Sequence, residues 1–108
     1  MKYNTVNKAY EKKYLNLLKE LVLHVFKDHY CKVFLFGSRV NDKHSKGSDY
    51  DIGVSGLDNN QFLSLKSRLT EDVENSLIPF KVDIVNFDLV TEEFKAIAMK
   101  EVILWKKS

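Results

Sequence analysis

Three aspartates stand in sequence contexts in which carboxylates can do chemistry. Asp49 and Asp51 flank Tyr50 at the start of one apolar run, and Asp83 lies inside another, Val82–Val85. Residues two apart in a strand face the same side, so Asp49 and Asp51 are expected to present their oxygens to one point. Magnesium prefers hard oxygen ligands and commonly shares its shell with substrate phosphates. The pair therefore predicts a magnesium site, with a solvated strand start as the alternative.

The context of Asp83 strengthens this prediction, because acidic residues seldom lie inside an apolar strand without a partner. If its strand lies beside the strand of Asp49 and Asp51, three carboxylates converge. Such a cluster repels itself unless a cation binds it. A salt bridge from Asp83 to a lysine or arginine is the alternative interpretation.

A turn made of Gly37, Ser38 and Arg39 follows the apolar run Lys32–Phe36. Glycine lets the backbone approach a phosphate, and a serine hydroxyl with the amides of a helix start can bind an anion. Arg39 adds a fixed positive charge, and Ser48, directly before the first aspartate, offers a second hydroxyl. These residues predict a phosphate-binding turn beside the carboxylates.

The hydrophobic pattern predicts the elements that must position these residues. After a frayed stretch, Met1–Ala9, an amphipathic helix is expected from Tyr10 to the end at Asp28–Tyr30. A brief helical turn is expected at Ser38–Asn41. Short runs of β-branched and aromatic residues predict strands at Lys32–Phe36, Asp49–Val54 and Phe80–Phe87. Val102–Trp105 is expected to form a short extended segment, with a helical continuation as the alternative.

Two further helices are predicted, one after the second strand and one after the third. The first would be capped by Asp58 or Asn59 and the second by Asp88 or Thr91. Their expected buried faces are Phe62, Leu65, Leu69, Val73 and Leu77 in the first helix and Phe94, Ile97 and Ala98 in the second. This order of elements predicts an α/β (α+β) domain in which helices pack on a small mixed sheet, with residues 1–108 as a single domain.

The composition argues against several classes of protein. A formal net charge of +2 is too mild to favour nucleic-acid binding, and no apolar run approaches the length of a membrane span, about 18 residues. Cys31 is the only cysteine, which excludes an internal disulfide and suits the reducing cytoplasm, where we expect the protein. No P-loop, dinucleotide fingerprint or zinc-type Cys/His cluster is present, and nothing orients a triad of Ser38, His44 and Asp49.

The combined motif resembles that of the minimal nucleotidyltransferases, which belong to the polymerase-beta-like superfamily. Gly37-Ser38-Arg39 is followed, ten residues after Ser38, by Ser48-Asp49-Tyr50-Asp51, and Asp83 lies in the later strand. The resemblance extends from about Leu15 to Trp105 and implies the polymerase-beta-like nucleotidyltransferase fold.

The resemblance also implies roles for these residues. Gly37 and Ser38 would hold the nucleotide's phosphates, with Arg39 and Ser48 in support, and Asp49 and Asp51 would bind two Mg²⁺ ions. Asp83 would bind the catalytic metal and help deprotonate an attacking hydroxyl. The implied reaction is in-line attack on the α-phosphorus of a nucleoside triphosphate, with ATP expected, and release of pyrophosphate.

Short members of this family resemble the small partner of two-protein systems whose other chain is an all-helical HEPN-type protein. The expected activity is therefore transfer of AMP to a hydroxyl of such a partner, as the antitoxin-like half of the pair. The alternative is a binding module that neutralises a helical partner by covering it, which Asp42, a negative charge near the phosphates, would favour. Nucleotidylation of RNA or an antibiotic is less expected, because the chain has no added substrate domain.

Overall fold

The computed structural model describes residues 2–40 and 49–108, which form helices packed on a four-stranded sheet. In chain order the elements are α1 (Lys2–Phe26), β1 (Lys32–Phe36), a 3₁₀ turn (Gly37–Val40), β2 (Tyr50–Ser55), α2 (Asn59–Glu74), β3 (Val82–Asn86), α3 (Glu92–Ala98) and β4 (Ile103–Lys106). The predicted order of elements is confirmed. The first helix begins at Lys2 and not at Tyr10, so the prediction of a frayed stretch is wrong from Lys2 onward.

The sheet is mixed, as predicted, and has the strand order β3-β2-β1-β4. Strand β1 is antiparallel to both β2 and β4, whereas β2 and β3 are parallel. A parallel pair needs a crossover connection, which α2 provides. This topology sets β2, the strand that begins next to Asp49, between the strand that leads into the Gly37 turn and the strand that carries Asp83.

The two faces of the sheet differ in what covers them. One face packs on α1 and α2 and forms the main core, whose buried residues include Leu18, Val22, Leu35, Ile52, Leu69 and Ile84. The other face carries a smaller aromatic cluster of Phe34, Phe36 and Phe87. The alternation predicted for β2 is confirmed, because Tyr50, Ile52 and Val54 all lie in the main core.

The helix starts agree with the predicted caps, but one helix end does not. The side chains of Asp58 and Thr91 accept hydrogen bonds from the N–H groups of Gln61 and Phe94, at 2.8 and 3.1 Å. Leu77, predicted in the buried face of α2, lies beyond the helix end and is 80% exposed.

Ser76 gives the physical reason for the exposure of Leu77. Its hydroxyl donates to the Val73 carbonyl and accepts from the N–H of Ile78, at 2.6 and 3.1 Å. The turn that results ends the helix and buries Ile78 in place of Leu77.

Two more expectations need correction. The third strand is shorter than predicted, since it spans Val82–Asn86 and leaves Phe80 and Phe87 outside. Helix α3 fully buries none of its residues, and Ile97, predicted to face the core, is 69% exposed. Phe94 and Ala98 do pack on the aromatic cluster, but Phe94 remains 42% exposed. In the part of the chain that the structure describes, no helix is both long and apolar enough to cross a membrane.

Candidate active site

The parallel pairing of β2 and β3 brings two of the predicted carboxylates together. Asp51 and Asp83 are register partners across the two strands, which in a sheet lie about 4.8 Å apart. Their strand neighbours Ile52 and Ile84 are buried in the main core, so both aspartates face the opposite side of the sheet. The convergence predicted for Asp51 and Asp83 is therefore present in the fold.

Asp49 lies directly before β2, two residues from Asp51. One of its carboxylate oxygens is 4.0 Å from the ammonium of Lys81, and both side chains are solvent-accessible. An exposed pair of this length contributes little to stability, so it leaves the Asp49 carboxylate accessible to a ligand. Lys81 stands two residues before Asp83, and its carbonyl accepts a hydrogen bond from the N–H of Tyr50 at 3.0 Å. The three aspartates thus lie at one end of the β2–β3 pair.

The electrostatics of Asp51 fit a cation site. Its burial, followed by the charges of Asp83 and Asp49, raises the pKa of the Asp51 carboxyl from 3.8 to about 6. Among residues 2–40 and 49–108, no group of three or more acidic, histidine or cysteine side chains is gathered closely enough to hold a metal ion alone. The raised pKa suits a cation beside Asp51, and magnesium is usually bound by one or two carboxylates plus substrate phosphates.

The raised pKa predicts how the stability of the metal-free protein depends on pH. A carboxyl whose pKa is higher in the folded state than in the unfolded state binds more protons when folded, so stability falls as pH rises from about 4 to about 6. Asp51→Asn removes the free-energy cost of ionising this carboxyl in the folded state. After allowance for solvent screening, we expect the substitution to stabilise the fold at pH 7 by about 1–2 kcal/mol. Urea unfolding of both proteins between pH 4 and 8, in EDTA, measures the difference. Equal stabilities at pH 7 would show that Asp51 carries no electrostatic strain.

Gly37 connects the turn to the carboxylates. Its φ of +79° lies in the left-handed region, where a glycine carries no steric cost. A Cβ added at this position would overlap a carboxylate oxygen of Asp51. The backbone of the turn therefore lies against Asp51, and both Gly37 and Ser38 are exposed to solvent, where a ligand can reach them.

Arg39 does not share this exposure. Its side chain is only 2% exposed, and one guanidinium nitrogen lies 3.1 Å from a carboxylate oxygen of Glu11 on α1. The guanidinium also lies over the rings of Tyr50 and Phe80, at 4.6 and 5.4 Å from their centroids. Tyr50 belongs to the main core, so this side chain is directed to the helical side of the sheet, opposite Asp51.

A cleft opens directly beside Asp51. It has a volume of about 480 Å³ and is lined on the strand side by Phe36, Gly37 and Asp51. Its other wall consists of Phe94, Ile97 and Ala98 from α3, together with Lys100 and Glu101. A depression of similar volume, about 450 Å³, lies along the surface of α2 and touches none of the candidate residues. Of the three candidate carboxylates, Asp51 is the one that lines this cleft.

Residues 12–108 match the family model described as Polymerase beta, Nucleotidyltransferase. The chain belongs to this nucleotidyltransferase family. A relative from Haemophilus influenzae, named "Probable protein adenylyltransferase MntA", is 31% identical over 86 residues, which are 80% of this chain and 73% of the relative.

Solved structures show the same nucleotidyltransferase fold. A toxin–antitoxin crystal structure with AMP-PNP aligns with a TM-score of 0.61 at 19% identity and covers 83% of this chain and 73% of that chain. A structure of a tri-AMPylated Shewanella oneidensis HEPN toxin in complex with an MNT antitoxin aligns with a TM-score of 0.60 at 18% identity, over 86% and 72% of the two chains. At 19% and 18% identity, these two alignments show a shared fold and nothing further.

Sequence reasoning about this nucleotidyltransferase site missed the wall of the cleft. The spacing of Phe94 and Ile97 indicates one helix face, but an apolar face that lines a cleft has the same period as one that faces a core. Ser48, predicted to assist phosphate binding, lies outside the described residues, as does Asp42.

Proposed function

We propose that this nucleotidyltransferase transfers AMP from ATP to a hydroxyl of a HEPN-type helical protein in a magnesium-dependent reaction, as the antitoxin-like half of a two-protein system. The observation that carries the proposal is the register pairing of Asp51 with Asp83 beside the exposed turn at Gly37. The name of the Haemophilus relative and the HEPN complex among the structural neighbours support the acceptor class.

Each residue of the site has a role in this proposal. The backbone of Gly37 and the hydroxyl of Ser38 hold the phosphates, with Ser48 as a second hydroxyl, while Asp49 and Asp51 bind the metal ions. Asp83 would complete the metal site and accept the proton of the attacking hydroxyl. Bound Mg²⁺ would neutralise charge on the attacking and leaving oxygens. The acceptor oxygen forms a bond to the α-phosphorus, the bond to the β-phosphate oxygen breaks, and pyrophosphate leaves.

The surface around the cleft suits an acceptor that is a protein. Exposed large apolar side chains recur in the stretch that contains α3 and leads into β4, namely Leu89, Phe94, Ile97, Met99, Ile103 and Leu104. Helix α3 has only seven residues and buries none of them, although short helices depend on packing for stability. Exposed apolar side chains that gather in a patch mark protein contacts, and of these residues Phe94 and Ile97 adjoin the cleft at Asp51.

The experiment that tests the proposal uses the full chain, Mg²⁺ and ATP labelled at the α-phosphate, with a purified HEPN-type helical protein as acceptor. We expect label and the mass of AMP to appear on the acceptor, and both to be lost in EDTA. Label that stays in ATP over many hours, with acceptor bound and Mg²⁺ present, would contradict transfer.

The second candidate function is neutralisation by binding alone, which the exposed apolar side chains of Phe94 and Ile97 on α3 favour. The two functions differ in their dependence on the carboxylates. If transfer neutralises the partner, Asp51→Asn should no longer protect cells that express it, even though the variant still binds. If binding alone suffices, Asp51→Asn should protect as well as the wild type does. Growth of cells that express both chains, with a pull-down to confirm binding, separates the two.

A further inference from the structure

We infer that Arg39 is a positioning residue, whose guanidinium holds the Gly37–Ser38 turn in alignment with the aspartates of β2 and β3. The inference rests on the proposed function, because the alignment matters only if phosphates and carboxylates act on one nucleotide. It replaces the prediction that Arg39 itself contacts the phosphates.

The first support is the number of chain segments that meet at this guanidinium. Arg39 belongs to the 3₁₀ turn, and its ion-pair partner Glu11 belongs to α1, 28 residues earlier in the chain. Tyr50 begins β2, and Phe80 lies on the segment that leads into β3. One buried side chain thus links its own turn to three segments that are distant in sequence.

The second support is where these contacts fall relative to the site. Arg39 follows Gly37 and Ser38 directly, and Tyr50 lies between Asp49 and Asp51. Phe80 precedes Asp83 by three residues and packs on Tyr50, with 4.6 Å between ring centroids. The stack therefore joins the backbones of the phosphate turn and of both aspartate strands, from the face of the sheet opposite Asp51.

The third support is chemical. An arginine guanidinium is flat and always charged, so it can stack on aromatic rings while its edge binds a carboxylate, whereas a lysine ammonium cannot do both. Removal of one partner from a buried ion pair leaves an uncompensated charge, which is strongly destabilising. The Arg39–Glu11 pair, with side chains 2% and 31% exposed, is thus expected to fix the orientation of the turn.

Substitution of Glu11 provides the decisive test, because the two roles of Arg39 predict different effects of Glu11→Gln on ATP binding and on kcat. If Arg39 contacts phosphate, Glu11→Gln removes a negative charge near an anion site and should leave ATP binding unchanged or tighter. If Arg39 positions the turn, Glu11→Gln loosens it and should lower kcat about tenfold, since small misplacements of reacting groups are costly, with a smaller change in KM for ATP. Steady-state transfer of AMP to the helical partner, and calorimetry of ATP binding with Mg²⁺, measure these quantities.

Matched controls come from the same chain. Glu20→Gln makes the same change at an exposed position of α1, and Arg68→Ala alters the other arginine, exposed on α2; both should retain wild-type kcat. Arg39→Ala should lower kcat at least as much as Glu11→Gln does. Arg39→Lys keeps the charge without the flat stack, so its kcat should be close to that of Arg39→Ala. The double variant Glu11→Gln/Arg39→Ala should be no slower than Arg39→Ala alone, because the pair acts as a unit.

Two results would overturn the inference. In the first, Glu11→Gln has the same kcat as Glu20→Gln, Arg39→Ala raises KM for ATP and Arg39→Lys restores it. Arg39 would then bind phosphate, and the proposed function would stand. A wild-type chain that transfers no AMP would instead remove the proposed function, and this inference with it. Wild-type activity in the same assay therefore tells the two failures apart.

Discussion

Asp51→Asn lowers the rate of AMP transfer by about 10³-fold or more while the protein stays folded. Asp51 is the carboxylate that lies against Gly37 and pairs in register with Asp83, so it belongs to both halves of the proposed site. Asparagine has nearly the same shape as aspartate but no charge. It therefore cannot neutralise the charge of a metal ion that is shared with the phosphates. Single-turnover transfer, followed by the intact mass of the acceptor, gives the rate.

The control for this variant is Asp28→Asn, the same substitution at an exposed position after α1. It should transfer AMP at the wild-type rate. Thermal unfolding in EDTA at pH 7 supplies a second readout, because Asp51→Asn is expected to be more stable than the wild type, whose Asp51 has a raised pKa. An Asp51→Asn protein that retains transfer within tenfold of the wild type would exclude Asp51 as a metal ligand.

Gly37→Ala is expected to lower transfer about 100-fold and to destabilise the fold by about 1–3 kcal/mol. The positive φ of Gly37 disfavours any side chain, and the new methyl group would overlap the carboxylate of Asp51. Relief of that overlap requires either the turn or the aspartate to move, and either movement separates phosphate from carboxylate. Urea unfolding and the transfer assay on the same preparation measure both effects.

Gly56→Ala is the matched control for Gly37→Ala. Gly56 has a positive φ of +105°, but an added Cβ would meet no atom closer than 3.4 Å, the Cα of Cys31. It follows β2 at the end opposite Asp51, so its substitution should cost stability without lowering transfer. If both variants lost the same stability and both remained active, the approach of Gly37 to Asp51 would have no catalytic meaning.

The sequence by itself determined the local structure of this protein. Alternation along β2 fixed which residues face the core, because strand side chains alternate regardless of the rest of the fold. The sequence limited each helix cap to two candidates, because capping involves only residues about three positions apart, and the structure shows Asp58 and Thr91 in that role. The motif that joins Gly37 to Asp51 and Asp83 was likewise recognisable as a nucleotidyltransferase signature, and the match over residues 12–108 confirms the family.

Only the tertiary structure decided which of these residues meet. The pairing of Asp51 with Asp83 depends on β2 and β3 being parallel neighbours, which neither strand's own sequence specifies. The burial of Arg39 against Glu11 and the exposure of Phe94 on the cleft wall depend equally on distant segments. Charge and periodicity describe a side chain and its near neighbours, whereas the face of the sheet that it reaches is set by the packing of the whole chain.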